Sequence, residues 1–316
     1  MSEELGPDLH IGQHRVLTGS CSWTDPTLVR ESDWYPRKTM SAEDRLRFYA
    51  ARFPLAEIDS TYYAPPSAEQ AGLWAQRTPE GFRFDVKAYS LLTGHPTRPQ
   101  SLWKDLREEL PDEVVSKRNL YAKHLSPEAL EEAWRRFAAA LAPLAEAGRL
   151  GAVLFQYPPW FGPRRDNRQE IEALPERLGS SGIRICVEFR SPAWLAGEHD
   201  RDRTLDLLRS NGLALVCLDA PASSGLPQVF EATREDLLIV RFHGRNDETW
   251  KARTRTAAER FRYLYSTEEL RALVPPVAEA VEQAAESHLL MNNCYRDYSV
   301  RNAAELRDLL AQYTGN

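Results

Sequence analysis

Ionisable residues follow short apolar runs at several places in the chain, and two of them are glutamates. Glu57 lies in one such run, and Glu188 lies near the end of another, in the sequence IRICVEFRSPAW that continues with Arg190. Arg241 and His243 follow a third run in the same way. Two carboxyl groups in different surroundings can act as a general acid and a general base, and a histidine can assist proton transfer. The neighbouring arginines suit an anionic group.

The candidate site residues all lie near the carboxyl ends of predicted strands. The catalytic candidates are Glu57, Glu188, His243 and Asp219. The ligand-binding candidates are Ser20, Trp23, Asp59, Tyr62, Lys87, Gln156, Arg190, Arg241, Asn292 and Asn293. Side-chain amides can bind the edge of a sugar, a base or a phosphate, because they both donate and accept hydrogen bonds.

The elements that must position these residues are apolar segments of strand length, separated by segments with helical spacing. The predicted strands are Val16–Ser20, Leu55–Asp59, Phe82–Ala88, Gly151–Gln156, Ile183–Glu188, Leu213–Asp219, Leu237–Arg241 and His288–Asn292. Alternating strands and helices indicate parallel pairing with right-handed crossovers. Eight such units in 316 residues predict an α/β fold, the TIM (β/α)8 barrel. A doubly wound open sheet is the alternative, but no predicted strand is followed by a glycine-rich phosphate-binding turn.

The predicted strands keep one apolar face, while the other face becomes polar toward the carboxyl end. Asp85 and Lys87, for example, alternate with the apolar residues around Phe84. By the same pattern Cys217 and Asp219 are expected on one inward face. In a barrel, outward residues pack on helices, and inward residues near the carboxyl ends line a water-accessible mouth. The candidate residues are therefore expected to meet at this mouth.

The chain is predicted to be one domain with two additions. Residues 1–14 are expected to form an N-terminal arm, and residues 15–316 form the barrel. The longest interval between predicted strands runs from Tyr89 to Leu150 and has a polar, proline-containing portion. That portion has too few apolar residues for a core of its own, so it is expected to be an excursion over the barrel top between the third and fourth strands.

Composition and charge give few restrictions on partners. A net charge of −6 gives no global reason to expect a polyanion, although 40 lysines and arginines allow a local basic patch. No apolar run approaches the roughly 20 residues needed to span a bilayer, and the polar N-terminus lacks the order of a secretory signal. We therefore expect a cytoplasmic protein without a membrane partner. The four cysteines are far apart, and Cys21, which follows a strand, is the candidate for reactivity.

The strand-end motifs, taken in order, resemble the DUF72 family, also called YecE-like. They are TGSCSW, EIDSTYY, FRFDVKA, GAVLFQYPPWF, CVEFRSPAW, LD at Leu218–Asp219, VRFHG, and MNNCY followed by RNA at Arg301–Ala303. The similarity runs from about Val16 to about Leu310. It implies a TIM barrel and a family without an established activity. This chain departs from the family pattern at Asp59, where asparagine is common, and that change adds a charge to the mouth.

The same charged residues allow a structural interpretation, in which Glu57, Glu188 and Asp219 pair with Lys87, Arg190 and Arg241. Unpaired buried charges cost several kcal/mol, so barrels often pair inward charges. The carboxylates Glu57, Asp59, Glu188 and Asp219 also leave room for Mg²⁺ or Mn²⁺. His243 is the only histidine at a predicted strand end, which argues against a histidine-rich zinc cluster. No organic cofactor is expected.

Three functions are compatible with these patterns. The first is a hydrolase or lyase acting on an anionic ligand, such as a phosphorylated sugar or nucleic acid, with a small molecule favoured over a duplex because the chain is acidic. The second is a protein that binds nucleic acid or carbohydrate without turnover, through arginines and an aromatic rim. The tryptophans that follow strand ends are Trp23, Trp34, Trp160, Trp194 and Trp250. The third is a structural scaffold, which the sequence neither supports nor excludes.

Overall fold

Parallel strands close into a barrel at the centre of the molecule. The structure is a computed structural model that describes residues 5–7, 9–178, 182–250, 252 and 257–313. The strands of this described part are β1 (Leu9–Ile11), β2 (His14–Ser20), β3 (Leu55–Ile58), β4 (Arg83–Lys87), β5 (Leu150–Tyr157), β6 (Ile185–Phe189), β7 (Ala214–Asp219), β8 (Leu238–Phe242) and β9 (Glu286–Met291). Strands β2 to β9 pair in chain order, and β2 also pairs with β9, which closes the barrel. The predicted TIM barrel is confirmed, and no predicted strand end is displaced by more than two residues.

Helices follow the strands and cover the outside of the barrel. They are α1 (Pro26–Glu31), α2 (Ala42–Ala50), α3 (Ala68–Gln76), α4 (Lys104–Glu108), α5 (Asp112–Val115), α6 (Pro127–Glu146), α7 (Arg165–Glu172), α8 (Leu174–Arg177), α9 (Glu198–Ser210), α10 (Asp247–Trp250), α11 (Ala257–Arg260), α12 (Thr267–Val281) and α13 (Tyr298–Ala311). Several begin at a serine whose side chain accepts a hydrogen bond from the first turn, as Ser41, Ser126 and Ser266 do. This cap satisfies a backbone donor that has no partner within the helix.

Part of the predicted N-terminal arm forms a hairpin with the first barrel strand. β1 pairs antiparallel with β2, with Leu9 opposite Val16. Gly12, in the two-residue turn, has a φ of +59°, a conformation that glycine adopts at no steric cost. The amide of Gly6 also donates to the carbonyl of Ala50. The hairpin was not predicted, because the three residues of β1 give too little periodicity to reveal a strand.

Two apolar cores separate the inward and outward faces of the strands. The inner core includes Leu17, Leu55, Leu154, Cys186 and Ile239. The larger outer core, which lies between strands and helices, includes Val86, Val187, Val240 and their neighbours. Inward residues thus alternate with outward ones, as the barrel requires.

The face predicted for one strand was wrong. On β7, Ala214, Val216 and Leu218 belong to the inner core, whereas Cys217 belongs to the outer core. Asp219 therefore shares the outward face with Cys217. Both faces of β7 are apolar, and the side-chain period of two then gives no indication of which face points inward.

The interval between β4 and β5 contains short helices before α6, and its apolar residues pack on the outer core. Leu91, Leu106, Val114 and Leu120 are all buried within that core. The interval therefore adds to the barrel's packing. No helix among the described residues is both long enough and apolar enough to cross a membrane.

A buried ion cluster lies inside the barrel, below the inner core. His288 on β9 places Nδ1 2.9 Å from Asp85 Oδ2 and Nε2 3.0 Å from Glu286 Oε1. Glu286 is also paired with Arg15 at 2.9 Å and with Arg184 at 2.7 Å. Although burial alone would lower it, these carboxylates raise the pKa of His288 above its usual 6.5.

Glycine is required beside this cluster. A Cβ atom on Gly151 would lie 2.4 Å from Asp85 Oδ1 and 3.0 Å from the His288 ring. The first distance is shorter than real Cβ contacts and the second is tighter than most of them, so a side chain at this position would displace the ion pair. Glycine at position 151 of β5 is therefore explained by Asp85 on β4 and His288 on β9.

We expect His288→Gln to lower the free energy of unfolding by about 3 kcal/mol near pH 6, because it leaves the buried Asp85 carboxylate without its cation, while Glu286 keeps Arg15 and Arg184. When folding raises the pKa of a group, the resulting stabilisation is fully present below the pKa of the unfolded state. It is lost as the pH rises through the pKa of the folded state. The difference between the two proteins should therefore shrink toward alkaline pH in urea titrations. His199→Gln, on the exposed face of α9, is the control. A pH-independent difference would contradict the charged imidazolium.

Candidate functional site

The guanidinium of Arg241 lies between two glutamates at the centre of the barrel. Its Nη2 donates to Glu57 Oε1 at 2.7 Å, and its Nη1 donates to Glu188 Oε2. Arg190 then pairs through Nε with Glu188 Oε1. We call Glu57, Arg241, Glu188 and Arg190 the ion-pair string. It joins β3, β8 and β6 at their carboxyl ends, as the sequence predicted.

The pKa values of the two glutamates of the string are shifted in opposite directions. Burial raises the pKa of Glu57 to about 7, against the lowering effect of Arg241. Burial acts on Glu188 in the same sense, but Arg190 and Arg241 together lower the pKa of Glu188 well below its usual 4.5. At Glu57 burial outweighs the lowering effects of Arg241 and Lys87, whereas at Glu188 the effects of Arg190 and Arg241 outweigh burial. Near neutral pH, Glu188 is ionised, while Glu57 exchanges a proton.

His243 is adjacent to the string and is neutral. Burial and then the charge of Arg190 lower the pKa of His243 to about 3. Its Nε2 lies 3.2 Å from Arg190 Nη2, and its Nδ1 lies 2.7 Å from the Asn292 amide. The Asn292 atom facing Nδ1 is Nδ2. A guanidinium only donates, so Nε2 accepts from Arg190 and Nδ1 carries the hydrogen, an assignment that turns the Asn292 amide so that its oxygen faces Nδ1.

The remaining inward candidates surround the string. Gln156 Oε1 accepts from Arg190 Nη2 at 3.3 Å. Lys87 Nζ lies 3.1 Å from Asp59 Oδ1 and 4.7 Å from the centre of the Tyr62 ring, a cation–π distance. These residues therefore belong to the mouth, but Lys87 pairs with Asp59 rather than with Glu57 or Glu188.

Asp219 is not brought to the string. It lies on the outward face of β7, where Arg245 Nη2 donates to its Oδ1 at 2.8 Å and Tyr265 donates to its Oδ2 at 2.6 Å. Gln228 also donates to Oδ1 at 2.7 Å. The sequence-based placement of Asp219 in the mouth was wrong, because it depended on the reversed face of β7. This carboxylate ties the loops after β7 and β8 together.

Three further candidates point away from the string. The Ser20 hydroxyl lies 3.1 Å from the Tyr49 hydroxyl on α2. Asn293 donates to Asn302 on α13 and to the carbonyl of Tyr263, both at 2.9 Å. Trp23 packs in the outer core. Each lies one position out of register with an inward neighbour, and the sequence does not show which residue of such a pair turns inward.

Metal binding at the strand-end carboxylates is not supported by the geometry. Among the described residues, no group of three or more His, Cys, Asp and Glu side chains is arranged to hold an ion. Glu57 and Glu188 are separated by the guanidinium of Arg241, and Asp219 lies on the other face of its strand. Cations of the protein itself hold these carboxylates.

Cys21 is a neutral thiol rather than a reactive thiolate. Its Sγ donates to Glu57 Oε2 at 3.5 Å, and it is fully buried. Burial and the charge of Glu57 raise the pKa of Cys21 well above 9.0. The other cysteines, Cys186, Cys217 and Cys294, are also buried and free. Cys21 is the cysteine that the sequence singles out for a test of reactivity, and this environment does not favour it, because nucleophilic cysteines need a lowered pKa.

Two ring contacts at the mouth involve His95, which the sequence did not place there, and Trp250, which the sequence assigned to the aromatic rim. His95, in the interval between β4 and β5, lies 5.3 Å from Tyr62 and 6.1 Å from Trp160 by ring centres. Trp250 on α10 lies 5.2 Å from the Arg190 guanidinium and 5.8 Å from the His243 ring. Both come from segments without strand or helix periodicity, and their approach depends on how loops cross the barrel.

A cavity of about 510 Å³ borders the string on the side of Glu57. It extends from the barrel centre to the space beside α2 and α3. Its wall includes Trp23, Leu46, Ile58, Trp74 and Cys294. Apolar pockets of roughly 300–1,000 Å³ with a few polar groups are typical of small-molecule sites. Glu57 is therefore placed between a cation and a space that can hold a ligand.

The family model described as "Protein of unknown function DUF72" matches residues 17–316. The chain belongs to the DUF72 family. A curated relative, "UPF0759 protein YunF" of Bacillus subtilis (strain 168), is 28% identical over 306 residues, which cover 95% of this chain and 96% of the relative.

Two solved DUF72 proteins have the same fold. One from Enterococcus faecalis V583 is 26% identical, with a TM-score of 0.74, and the match covers 95% of this chain and 97% of that one. One from Thermotoga maritima MSB8 is 28% identical, with a TM-score of 0.70, covering 94% of this chain and 99% of that one. These names give no activity, so the function of this DUF72 chain is argued from its site.

We expect Arg241→Met to lower the free energy of unfolding by about 3–5 kcal/mol at pH 7, because it leaves two buried carboxyl groups without their shared cation. Adding Glu57→Gln and Glu188→Gln to Arg241→Met should restore part of the loss, since uncharged groups then replace three of the string's four charged members and Arg190 alone stays charged. Chemical denaturation measures both effects. Arg135→Met removes an exposed pair with Glu132 and should have no measurable effect. A single variant as stable as the wild type would contradict the string's stabilising role.

Proposed function

We propose that this protein is a hydrolase or lyase that acts on an anionic ligand at the barrel mouth. The observation that carries the proposal is that one guanidinium holds both Glu57 and Glu188, in surroundings that shift their pKa values in opposite directions. Both reaction classes need a proton delivered to a departing group, and a carboxyl with a pKa near 7 suits that task at neutral pH.

Glu57 is the general acid in this proposal. Its Oε1 accepts from Arg241, so the exchangeable proton belongs on Oε2, beside Cys21. Glu57 also lines the cavity, which gives a departing group access to it. Glu188 stays ionised and holds Arg190 and Arg241 in place. His243, with a pKa of about 3, accepts a hydrogen bond from Arg190 and orients it, so it does not supply a proton.

The charge of the string supports an anionic ligand. When Glu57 is protonated, Arg190 and Arg241 contribute two positive charges and Glu188 one negative charge, which leaves one net positive charge in a buried place. Arg190 is the member nearest to solvent, with 12% of its side chain exposed. A phosphoryl or carboxylate group beside Arg190 and Lys87 would balance that charge. Phosphorylated sugars and nucleic-acid fragments carry such groups.

We expect wild-type protein to cleave at least one member of a panel of sugar phosphates, aryl phosphates and dinucleotides. Glu57→Gln should reduce turnover by about 100-fold or more, since general acid catalysis contributes about 10²–10⁴. Turnover should also fall as the pH rises above about 7, because the acid is then deprotonated.

Glu170→Gln is the matched control. The pKa of Glu170 is also raised by burial, but this residue lies on α7, away from the string. It should leave rate and pH profile unchanged. Absence of turnover across the panel, or a Glu57→Gln variant with full activity, would contradict the acid role.

A second candidate function, binding of nucleic acid or carbohydrate without turnover, is favoured by a row of rings at the mouth. Tyr63, Tyr62, His95 and Trp160 follow one another with ring centres 5.1, 5.3 and 6.1 Å apart. The end rings, Tyr63 and Trp160, are 60% and 63% exposed. Exposed rings can stack on bases or sugars.

If the protein binds such a ligand, Trp160→Ala and Tyr63→Ala should each weaken binding of a single-stranded oligonucleotide or an oligosaccharide by about 10-fold. Tyr313→Ala, which removes another exposed ring near the end of α13, is the control. Titrations at two salt concentrations separate the ligands, because only phosphate contacts release counterions. Equal affinities for all variants would contradict binding through the ring row.

A further inference from the structure

The cavity beside Glu57 is larger than the ion-pair string requires, and its wall has a mixed character. Toward the barrel centre it is closed by Cys21, Glu57 and Cys294. Farther out it is bounded by Leu46 and Trp74 from the helices that cover β2 and β3. The string accounts for the charged inner end of the cavity. It does not account for the rest of a cavity whose total volume is about 510 Å³.

Two tryptophans give the cavity a shape suited to a flat group. The Trp23 and Trp74 rings have centres 6.4 Å apart and planes at 87°, so they form a corner. Both are less than a tenth exposed, and both border the cavity. Aromatic rings attract one another in edge-to-face and offset arrangements at about 4.5–7 Å. A planar ligand ring in the corner can meet one tryptophan by its face and the other by its edge.

The charged groups of the cavity wall already have partners. Asp59 pairs with Lys87 at 3.1 Å, and Glu57 pairs with Arg241 at 2.7 Å. Arg77 pairs with Glu43 at 3.2 Å. The remaining acid, Asp25, accepts backbone hydrogen bonds at the start of α1. Among the described residues, Asp25 is held by hydrogen bonds and not by an ion pair, and the string carries one net positive charge when Glu57 is protonated. A ligand of either sign would therefore lose its water beside a like charge, whereas an uncharged apolar ligand loses little.

We propose that this cavity binds an uncharged, flat apolar group of the substrate, such as an aryl group, which leaves with the proton from Glu57. The inference rests on the proposed function and names the substrate class: an anionic part joined through oxygen to an aryl part. In hydrolysis, the bond between the anionic part and that oxygen breaks, and water supplies hydroxyl to the anionic part. Glu57 gives its proton to the departing oxygen and regains one from the water.

The test uses 2-naphthol as the probe and the full chain, followed by isothermal titration calorimetry. We expect saturable binding at one site. Ala42→Trp should weaken it at least 10-fold, because Ala42 is an exposed cavity-lining residue at the start of α2 and a larger ring there fills the space. Ala68→Trp is the matched control: Ala68 is also exposed, also follows a serine cap, and begins α3. It should bind 2-naphthol like the wild type.

Charged analogues test whether the cavity prefers an uncharged group. 2-Naphthoate and 2-naphthylmethylammonium should each bind at least 10-fold more weakly than 2-naphthol. Equal or tighter binding of the ammonium probe would overturn the assignment of an uncharged group. No saturable 2-naphthol binding, or equal binding by Ala42→Trp and Ala68→Trp, would overturn the cavity assignment itself.

The Glu57→Gln variant separates this inference from the proposed function. The amide keeps the cavity's shape, so 2-naphthol should bind it within about 3-fold of the wild type while turnover is lost. If 2-naphthol binds in the cavity but no member of the panel is turned over, the cavity assignment stands and the acid role of Glu57 is refuted. Turnover that depends on Glu57, without 2-naphthol binding, would refute only the cavity's occupant.

Discussion

The pairing of Arg241 with two buried glutamates is the interaction on which the upper half of the barrel depends. Each of these charges would be costly to bury alone, and the guanidinium offsets both carboxylates at once through two hydrogen bonds. The three residues come from β3, β6 and β8, which are not neighbours, so the string is formed only when the barrel closes. Closure in turn depends on the pairing of β2 with β9. The polar centre is therefore compatible with the closed barrel and not with an open sheet.

The fold was readable from the sequence because each strand is short, apolar and separated by a helix. The same alternation allowed Glu57, Glu188, Arg241 and His243 to be placed together: the first three each follow an apolar inward residue by two positions, and His243 follows Arg241 by two more. Polar residues at that spacing can share a face only where the strand leaves the apolar core. Where one face was clearly apolar and the other polar, the prediction of the inward face was right, and the site followed from it.

The remaining placements fail for reasons of geometry. Asp219 was assigned inward because Cys217 and Asp219 resemble the polar end of an inward face. Since β7 is apolar on both faces, the pattern could not decide between them, and a one-residue change of face moves every side chain to the opposite side of the sheet. Asn292 and Asn293 are adjacent and chemically identical, yet only Asn292 reaches His243. His95 meets Tyr62 because a loop crosses the mouth. The cavity depends on how two helices pack beside β2 and β3, a distance that no local pattern encodes.

The position of the cavity gives the string a further property. Glu188 is surrounded by Arg190, Arg241 and His243, so its charge is fixed by protein groups. Glu57 has Arg241 on one oxygen and the cavity nearby, so its proton affinity depends on what the cavity holds. Water there would help to solvate the carboxylate, whereas an apolar group would remove that water and raise the pKa of Glu57 further. An apolar ligand in the cavity would thus favour the protonated form of Glu57, which is the form that the proposed reaction consumes. Ligand binding would then raise the fraction of protonated Glu57 without any movement of the barrel.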